Sequence, residues 1–261
     1  MQYNFGTAID SIKQKTWWKW CLMLIPYAYL SIAANGSPES LKSIHWIWYL
    51  LFIISLFFMP GFLGFLVTYA KKFAHNELEQ LELISFKEFS KKGIHYLGFL
   101  ILYTILTCSI FVMSFIVLAI ISIPLIILLF AINKILALVV GILIGITTYI
   151  AFVLAISVFV ITAQILYIET GDILSIFKFK EIWYLYNNNK LAIFKCIGWI
   201  FLISIIIIIP QTIIALISLI STTALGIGAS LLLYATAIMS FNLYGQLINH
   251  TKIQIEELTY N

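Results

Sequence analysis

The chain has 261 residues, of which 62% are hydrophobic and only 10% charged, with a mean hydropathy of +1.06 and a formal charge of +4. Soluble domains carry about 25% charged residues, so an ordinary soluble fold is excluded. All 15 basic residues are Lys. Without Arg there are no bidentate guanidinium clamps for phosphate or carboxylate, and no aromatic–basic platform marks a nucleic-acid surface.

Between Lys195 and His250 lie 54 residues without a charge-bearing side chain. As a helix they would extend about 80 Å, against about 30 Å of hydrocarbon, so the run must cross a bilayer twice. Two further runs free of Asp, Glu and Lys, Gly93 to Asn133 and Ile135 to Ile168, add further spans. The pattern predicts an all-α polytopic integral membrane bundle of about six transmembrane helices, forming one domain over residues 1–261. In chain order the spans are Trp17–Ala34, Ile44–Ala70, Tyr96–Phe130, Ile135–Ile168, Leu191–Leu219 and Thr222–Asn249. Lys13, Lys15 and Lys19 followed by an apolar stretch ending Ser31-Ile32-Ala33 could pass for a signal peptide, but the segment reads as the first span.

Lysines orient the spans, because positive loops stay cytoplasmic. With the N-terminus inside, thirteen lysines are cytoplasmic and only Lys42 and Lys134 fall outside. Both termini are expected in the cytoplasm, in the inner (cytoplasmic) membrane of a prokaryotic cell. The outer connections are short. Asn35-Gly36-Ser37-Pro38 has turn chemistry, and Asn133-Lys134 makes a very tight turn between two long spans, the first offered a kink by Pro124.

The two cytoplasmic loops, residues 71–95 and 169–190, resemble each other. Each follows a span ending in Tyr (Tyr69, Tyr167) and continues through an acidic start, an amphipathic segment and a lysine cluster. Leu81, Ile84, Glu88 and Phe89, and Ile173, Ile176, Phe177, Trp183 and Leu185, recur at helical spacing. This predicts a duplicated hairpin with two amphipathic interfacial helices, apolar side in lipid and lysines toward anionic headgroups. Lys87, Lys91, Lys92, Lys178 and Lys180 are the candidate lipid or partner contacts, together with Glu169, Gly171 and Asp172. The Glu169-Thr170-Gly171-Asp172 run also has a purely mechanical reading. Gly171 lets the chain turn, and the acids favour the start of the next helix.

The stretch from Tyr167 through Glu169-Thr170-Gly171 and Leu174 to Phe177-Lys178-Phe179 resembles the Y-x-E-T-G-(x)-L-x-x-A-F-x-F signature of domain-of-unknown-function family 4013, an uncharacterised prokaryotic membrane family. Pro60-Gly61-Phe62-Leu63-Gly64-Phe65 with Lys71-Lys72 is similar to that family's P-x-x-x-G-Y-L-x-R-x-x-R segment, with Phe65 in place of Tyr and Lys in place of Arg. The similarity runs from about Phe57 to the C-terminus. More distantly, the layout resembles the membrane domain attached to some glycerophosphodiester phosphodiesterases, but no phosphodiesterase domain is among these residues and that activity is not carried over. The resemblance implies an architecture, not a reaction.

Chemistry candidates are few. His75, His95 and His250 all fall at the expected inner interface, without the tight spacing of a metal site. Cys21, Cys108 and Cys196 are far apart and read as free thiols. No ionisable group lies deep in a span. The neutral Gln164, Gln211, Asn242 and Gln246 suit interhelical hydrogen bonds. Gly141-x-x-x-Gly145 suits close helix packing, and Pro60-Gly61 and Pro210-Gln211 are candidate hinges that could lie side by side.

No catalytic, cofactor or metal motif is present, so the expectation is a non-enzymatic scaffold, assembly or accessory subunit of a membrane complex. The alternative is a transporter or lipid-handling protein for an apolar or neutral substrate held in a groove beside Pro60 and Pro210, with a cavity lined by Gln211, Asn242 and Gln246. Expected partners are membrane lipids and a membrane protein or second copy, with no cofactor and no nucleic acid.

Overall fold

The computed structural model describes residues 4–10, 19–22, 24–25, 46–218 and 222–260. The expected span Trp17–Ala34 and the Asn35–Pro38 turn lie largely outside them. Every regular element among the described residues is helical: α1 (Phe5–Asp10), α2 (Trp46–Ala74), α3 (Phe86–Ile132), α4 (Lys134–Thr170), α5 (Phe179–Ser218) and α6 (Thr222–Tyr260). Five of them, α2 to α6, contain stretches long and apolar enough to cross a membrane. The chain is a multi-pass membrane protein.

The long helices pack as a closed ring in chain order, with α6 returning to α2. Successive helices run in opposite directions, as the short connections require. The ends carrying Lys71, Lys92, Glu169, Lys195 and Lys252 therefore share one end of the bundle, and Lys134 stands at the other.

The core lies at the lysine-rich end. It is built from Phe65, Leu66 and Tyr69 of α2, Tyr96 and Phe99 of α3, Ile161 to Ile168 of α4, Ile193 and Cys196 of α5, and Ile238 to Ile248 of α6. Tyr167 stacks on Phe99 with ring centroids 4.7 Å apart, and Trp20 stacks on Phe65 at 5.1 Å. The far halves of α3 and α4 are different: none of the described side chains of α3 beyond Phe99 is buried, and in α4 only Ala137 is buried before Ile161. These halves expose Phe111, Met113, Ile120, Leu143 and Tyr149, the surface that acyl chains cover. With 47 and 37 residues, α3 and α4 extend about 70 and 55 Å. Both are longer than the about 30 Å hydrocarbon layer, so the hairpin must tilt or project.

Asn133 alone makes the turn between them. Its backbone is extended, and its Oδ1 accepts from the main-chain N–H of Ile135 (2.9 Å) and Leu136 (3.2 Å), capping α4. α2 continues unbroken through Pro60, as α3 does through Pro124.

Two expectations change. The two amphipathic segments are built differently, although each opens on a short 3-10 turn, Leu78–Leu83 or Ile173–Phe177. The helix after the first begins at Phe86 and runs on into its span, whereas the one after the second begins at Phe179 and leaves helical geometry at Asn189, ahead of its span. The reason is continuity. No Gly or Pro interrupts residues 86–92, so nothing stops the first of these helices at the interface. Nor do Pro60-Gly61 and Pro210-Gln211 meet. Pro60 and Gly61 pack on α3, and α2 and α5 are not neighbours in the ring.

The tightest crossing is that of α2 and α3. A Cβ built on Gly64 would lie 1.7 Å from the Phe89 carbonyl oxygen, and one on Gly93 would lie 1.6 Å from that of Pro60. Each glycine points an α-hydrogen at the opposite helix's carbonyl, a reciprocal Cα–H···O pair that recurs where helices touch backbone to backbone. The GxxxG of α4 behaves otherwise. A Cβ at Gly141 would make ordinary contact with Ile126, and at Gly145 nothing lies within 4 Å. There α3 and α4 diverge around an apolar groove of about 120 Å³, lined in part by Phe111, Phe115, Thr148 and Phe152.

Candidate functional site

The functional candidates gather where α4 ends. Gly171 stops the helix by taking the left-handed conformation (φ 74°), and its N–H donates to the Tyr167 carbonyl at 2.7 Å. This turn leaves the Glu169 side chain half-buried against α2, where His75 Nε2 donates to Oε1 at 3.0 Å and lies 3.3 Å from Oε2. Lys71 Nζ donates to the main-chain oxygen of Glu169. Lys71 and His75 are four residues apart on α2 and thus share a face. A cation on that carbonyl complements the negative end of α4, where the Glu169 carboxylate alone would be unfavourable. The result is a brace tying the last turn of α2 to the last turn of α4.

The next two residues complete the turn. Thr170 Oγ1 donates to the Leu166 carbonyl and accepts from Asp172 N–H at 3.3 Å. Asp172 Oδ1 accepts from Leu174 N–H at 2.9 Å, capping the 3-10 turn, and Oδ2 pairs with Lys178 Nζ at 3.1 Å, while Lys178 reaches Glu181 at 3.9 Å. The first loop turns similarly, with Asn76 in the left-handed region (φ 57°) and Lys72 paired with Glu77. Lys72 holds the Glu77 carboxyl below its ordinary value.

Of the residues singled out from the sequence, the structure brings together Glu169, Gly171, Asp172 and Lys178. Lys87, Lys91 and Lys92 stand exposed on the first turns of α3, and Lys180 on the first turn of α5. Pro60, Gly61, Gly141 and Gly145 all face the α2–α3 or α3–α4 contact, while the Gln211 side chain lies outside the described residues. Among the described residues no three His, Cys, Asp or Glu stand together, so His75, His95 and His250 do not assemble a centre. None of the three cysteines is in a disulfide.

The neutral polar groups of the spans pair as their depth requires. Gln164 Nε2 donates to Tyr96 Oη (3.1 Å), Asn242 Nδ2 to Tyr69 Oη (2.8 Å), and Gln246 Nε2 to Asn242 Oδ1 (2.7 Å). Gln246 also grips α1. Its Oε1 accepts from Asn4 N–H (2.9 Å), and its Nε2 donates to the Asn4 carbonyl (3.2 Å) and Thr7 Oγ1 (3.1 Å). Asn242 and Gln246 are both buried in this chain.

Two partners escaped the sequence reading. The pairing of His75 and Lys71 with Glu169 had a signal in their i,i+4 spacing. Docking of Asn4 and Thr7 on Gln246, 242 and 239 residues away, had none.

Removing the Glu169 carboxylate should loosen the brace. Glu169→Ala is expected to cost about 1–2 kcal/mol, the worth of a partly buried charge-assisted hydrogen bond. A double-mutant cycle with His75→Ala, read by thermal unfolding in detergent, should give a non-zero coupling, and Lys180→Ala should leave the melting point within error.

Asp172 makes a pH prediction. Burial pushes its carboxyl up, but the Leu174 N–H and the Lys178 hydrogen bond and charge together outweigh this and hold it below its ordinary value of 3.8. A lowered folded value contributes stability that is fully present above the unfolded value and lost as pH falls through the folded one. Asp172→Asn keeps a capping oxygen but no charge. The melting-point gap between wild type and this variant should therefore be constant at neutral pH and close on acidification below about 4.

A family described as "Protein of unknown function (DUF4013)" matches residues 47–219, which contain almost all of α2 and the whole of α3, α4 and α5. No curated protein and no solved structure matches the chain.

Proposed function

We propose, on the premise that this chain belongs to the DUF4013 family of uncharacterised proteins, that it is a non-enzymatic scaffold or accessory subunit of a membrane complex. One observation carries the reading: chemistry is spent on bracing the bundle internally and is displayed only around its lysine-rich rim. Glu169, Asp172, Asn242 and Gln246 are all engaged with neighbouring elements. Outside, Lys87, Lys91, Lys92 and Lys180 alternate with exposed Phe86, Phe177, Phe179 and Trp183. Aromatic bodies with lysine heads suit the headgroup layer and a partner seated there. The lysine bias supports a reading in which this rim and both termini face the cytoplasm, at the inner membrane of a prokaryote.

The test is a nanodisc pull-down of the tagged chain with mass spectrometry of what is retained. A stoichiometric protein partner or a defined homo-oligomer is expected. A lone monomer that moves a solute across liposomes would overturn the reading. The apolar groove between Phe111 and Phe152 supports the second reading, lipid handling, because it opens where α3 and α4 face lipid. In that case the lone chain would carry a bound lipid in that groove.

A further inference from the structure

α5 is not one straight rod. At Asn189 the backbone leaves helical geometry (φ −128°, ψ 22°), splitting the helix into a rim segment and a span. The break is held in place: Asn189 is buried, and its Nδ2 donates to the Leu185 carbonyl (2.9 Å) and to Gln254 Oε1 of α6. The first bond satisfies a carbonyl near the kink, and the second fixes the kink to its neighbour.

Beside this kink lies a cavity of about 110 Å³ lined by Asn188, Asn189, Leu191, Ala192, Lys195 and His250. Five of these residues come from α5 around its kink and form one wall, and His250 of α6 supplies the other. The wall chemistry is one-sided. It includes an ammonium, an imidazole and two side-chain amides, but no carboxylate. Lys195 and His250 bound the 54-residue uncharged run of the two last spans, so the cavity sits at the level where acyl chains end. Leu191 and Phe194 beside it are exposed and apolar.

We infer that this cavity binds a phosphate group, that of an anionic phospholipid whose acyl chains lie along Leu191 and Phe194. Lys195 supplies the charge, and His250 and Asn188 supply further hydrogen-bond donors. A phosphate diester accepts such bonds, and charge-assisted ones are the stronger kind. This inference stands on the kink and its cavity and does not depend on the scaffold reading.

The full-length chain would be delipidated in detergent, then offered phosphatidylglycerol or phosphatidylcholine and read by native mass spectrometry. One phosphatidylglycerol per chain should survive detergent exchange, and phosphatidylcholine should bind more weakly. Lys195→Gln with His250→Gln should weaken retention about tenfold or more, as loss of one charge-assisted hydrogen bond predicts. Lys134→Gln removes an exposed side-chain charge at the other end of the bundle and should leave retention unchanged. If the first double variant does not fold, Asn188→Asp gives the same test by placing a carboxylate at an exposed lining position, and it should expel the lipid. Inorganic phosphate alone is the second arm. Stabilisation of the lipid-free chain, lost in the same variants, would assign the site to a free phosphate compound instead of a headgroup. Equal retention by wild type and pocket variants, with no effect of inorganic phosphate, would overturn the inference.

Discussion

Gly93→Ala should cost the protein more stability than any other single methyl group added to the described helices. The new Cβ would fall 1.6 Å from the Pro60 carbonyl oxygen and the obstacle is backbone, so no side-chain rotation relieves it. Overpacking a core costs about 1–3 kcal/mol when side chains can shift. Here α2 and α3 must separate along their whole contact, and about 3 kcal/mol or more is expected. Gly64→Ala meets the Phe89 carbonyl at 1.7 Å and should behave alike, and because the pair is reciprocal the double variant should cost less than the sum. Gly145→Ala is the control, since nothing lies within 4 Å of its Cβ. Thermal unfolding in detergent, monitored beside size-exclusion profiles, checks all four chains. An unchanged melting point for Gly93→Ala would mean that α2 and α3 do not cross there.

Gln246→Leu should release α1. The described residues of this helix, Phe5–Asp10, are tied to α6 through Gln246. Ala8 contributes one fully buried methyl, and Gln246 contributes three hydrogen bonds to Asn4 and Thr7. Hydrogen bonds between elements of membrane proteins average about 0.6 kcal/mol each, so their joint loss is about 2 kcal/mol. That amounts to roughly a thirtyfold shift toward the undocked state. Amide exchange over residues 5–10 should accelerate by about that factor, while amides of α2 and α6 near Tyr69 and Asn242 stay protected. Uniform acceleration throughout the bundle would show instead that α1 is part of its folding unit.

Much of the architecture was legible in the chain. The apolar runs located α2 to α6, and Asn133 and Gly171 marked the two ends of α4. Of the four polar residues singled out in the spans, Gln164, Asn242 and Gln246 make interhelical bonds, the Gln211 side chain lying outside the described residues. The rim was harder. Amphipathic spacing over Leu81–Phe89 and Ile173–Leu185 was real, but spacing does not report where a helix ends. Both segments open on a 3-10 turn; the first then became the opening turns of a long helix, and the second a helical piece set off from its span at Asn189. The brace was half visible: Glu169 stood out, whereas its partners Lys71 and His75 were read as a topology signal and a possible metal ligand.

Local chemistry therefore determined that the protein spans a membrane, roughly where each helix begins and ends, and which end gathers the lysines. Burial of a 20-residue apolar helix in hydrocarbon requires no knowledge of its neighbours. Only the tertiary structure decided which faces meet: Gly64 against Phe89, Glu169 against His75, Asn242 against Tyr69 across 173 residues of chain, and the Asn189 kink against Gln254. The physical reason is that lipid is as apolar as the bundle's interior. A span is then hydrophobic on every side, and its pattern carries no contrast between the face that packs and the face that meets acyl chains. Close backbone approach and paired polar groups make that choice, and both exist only once two helices are side by side.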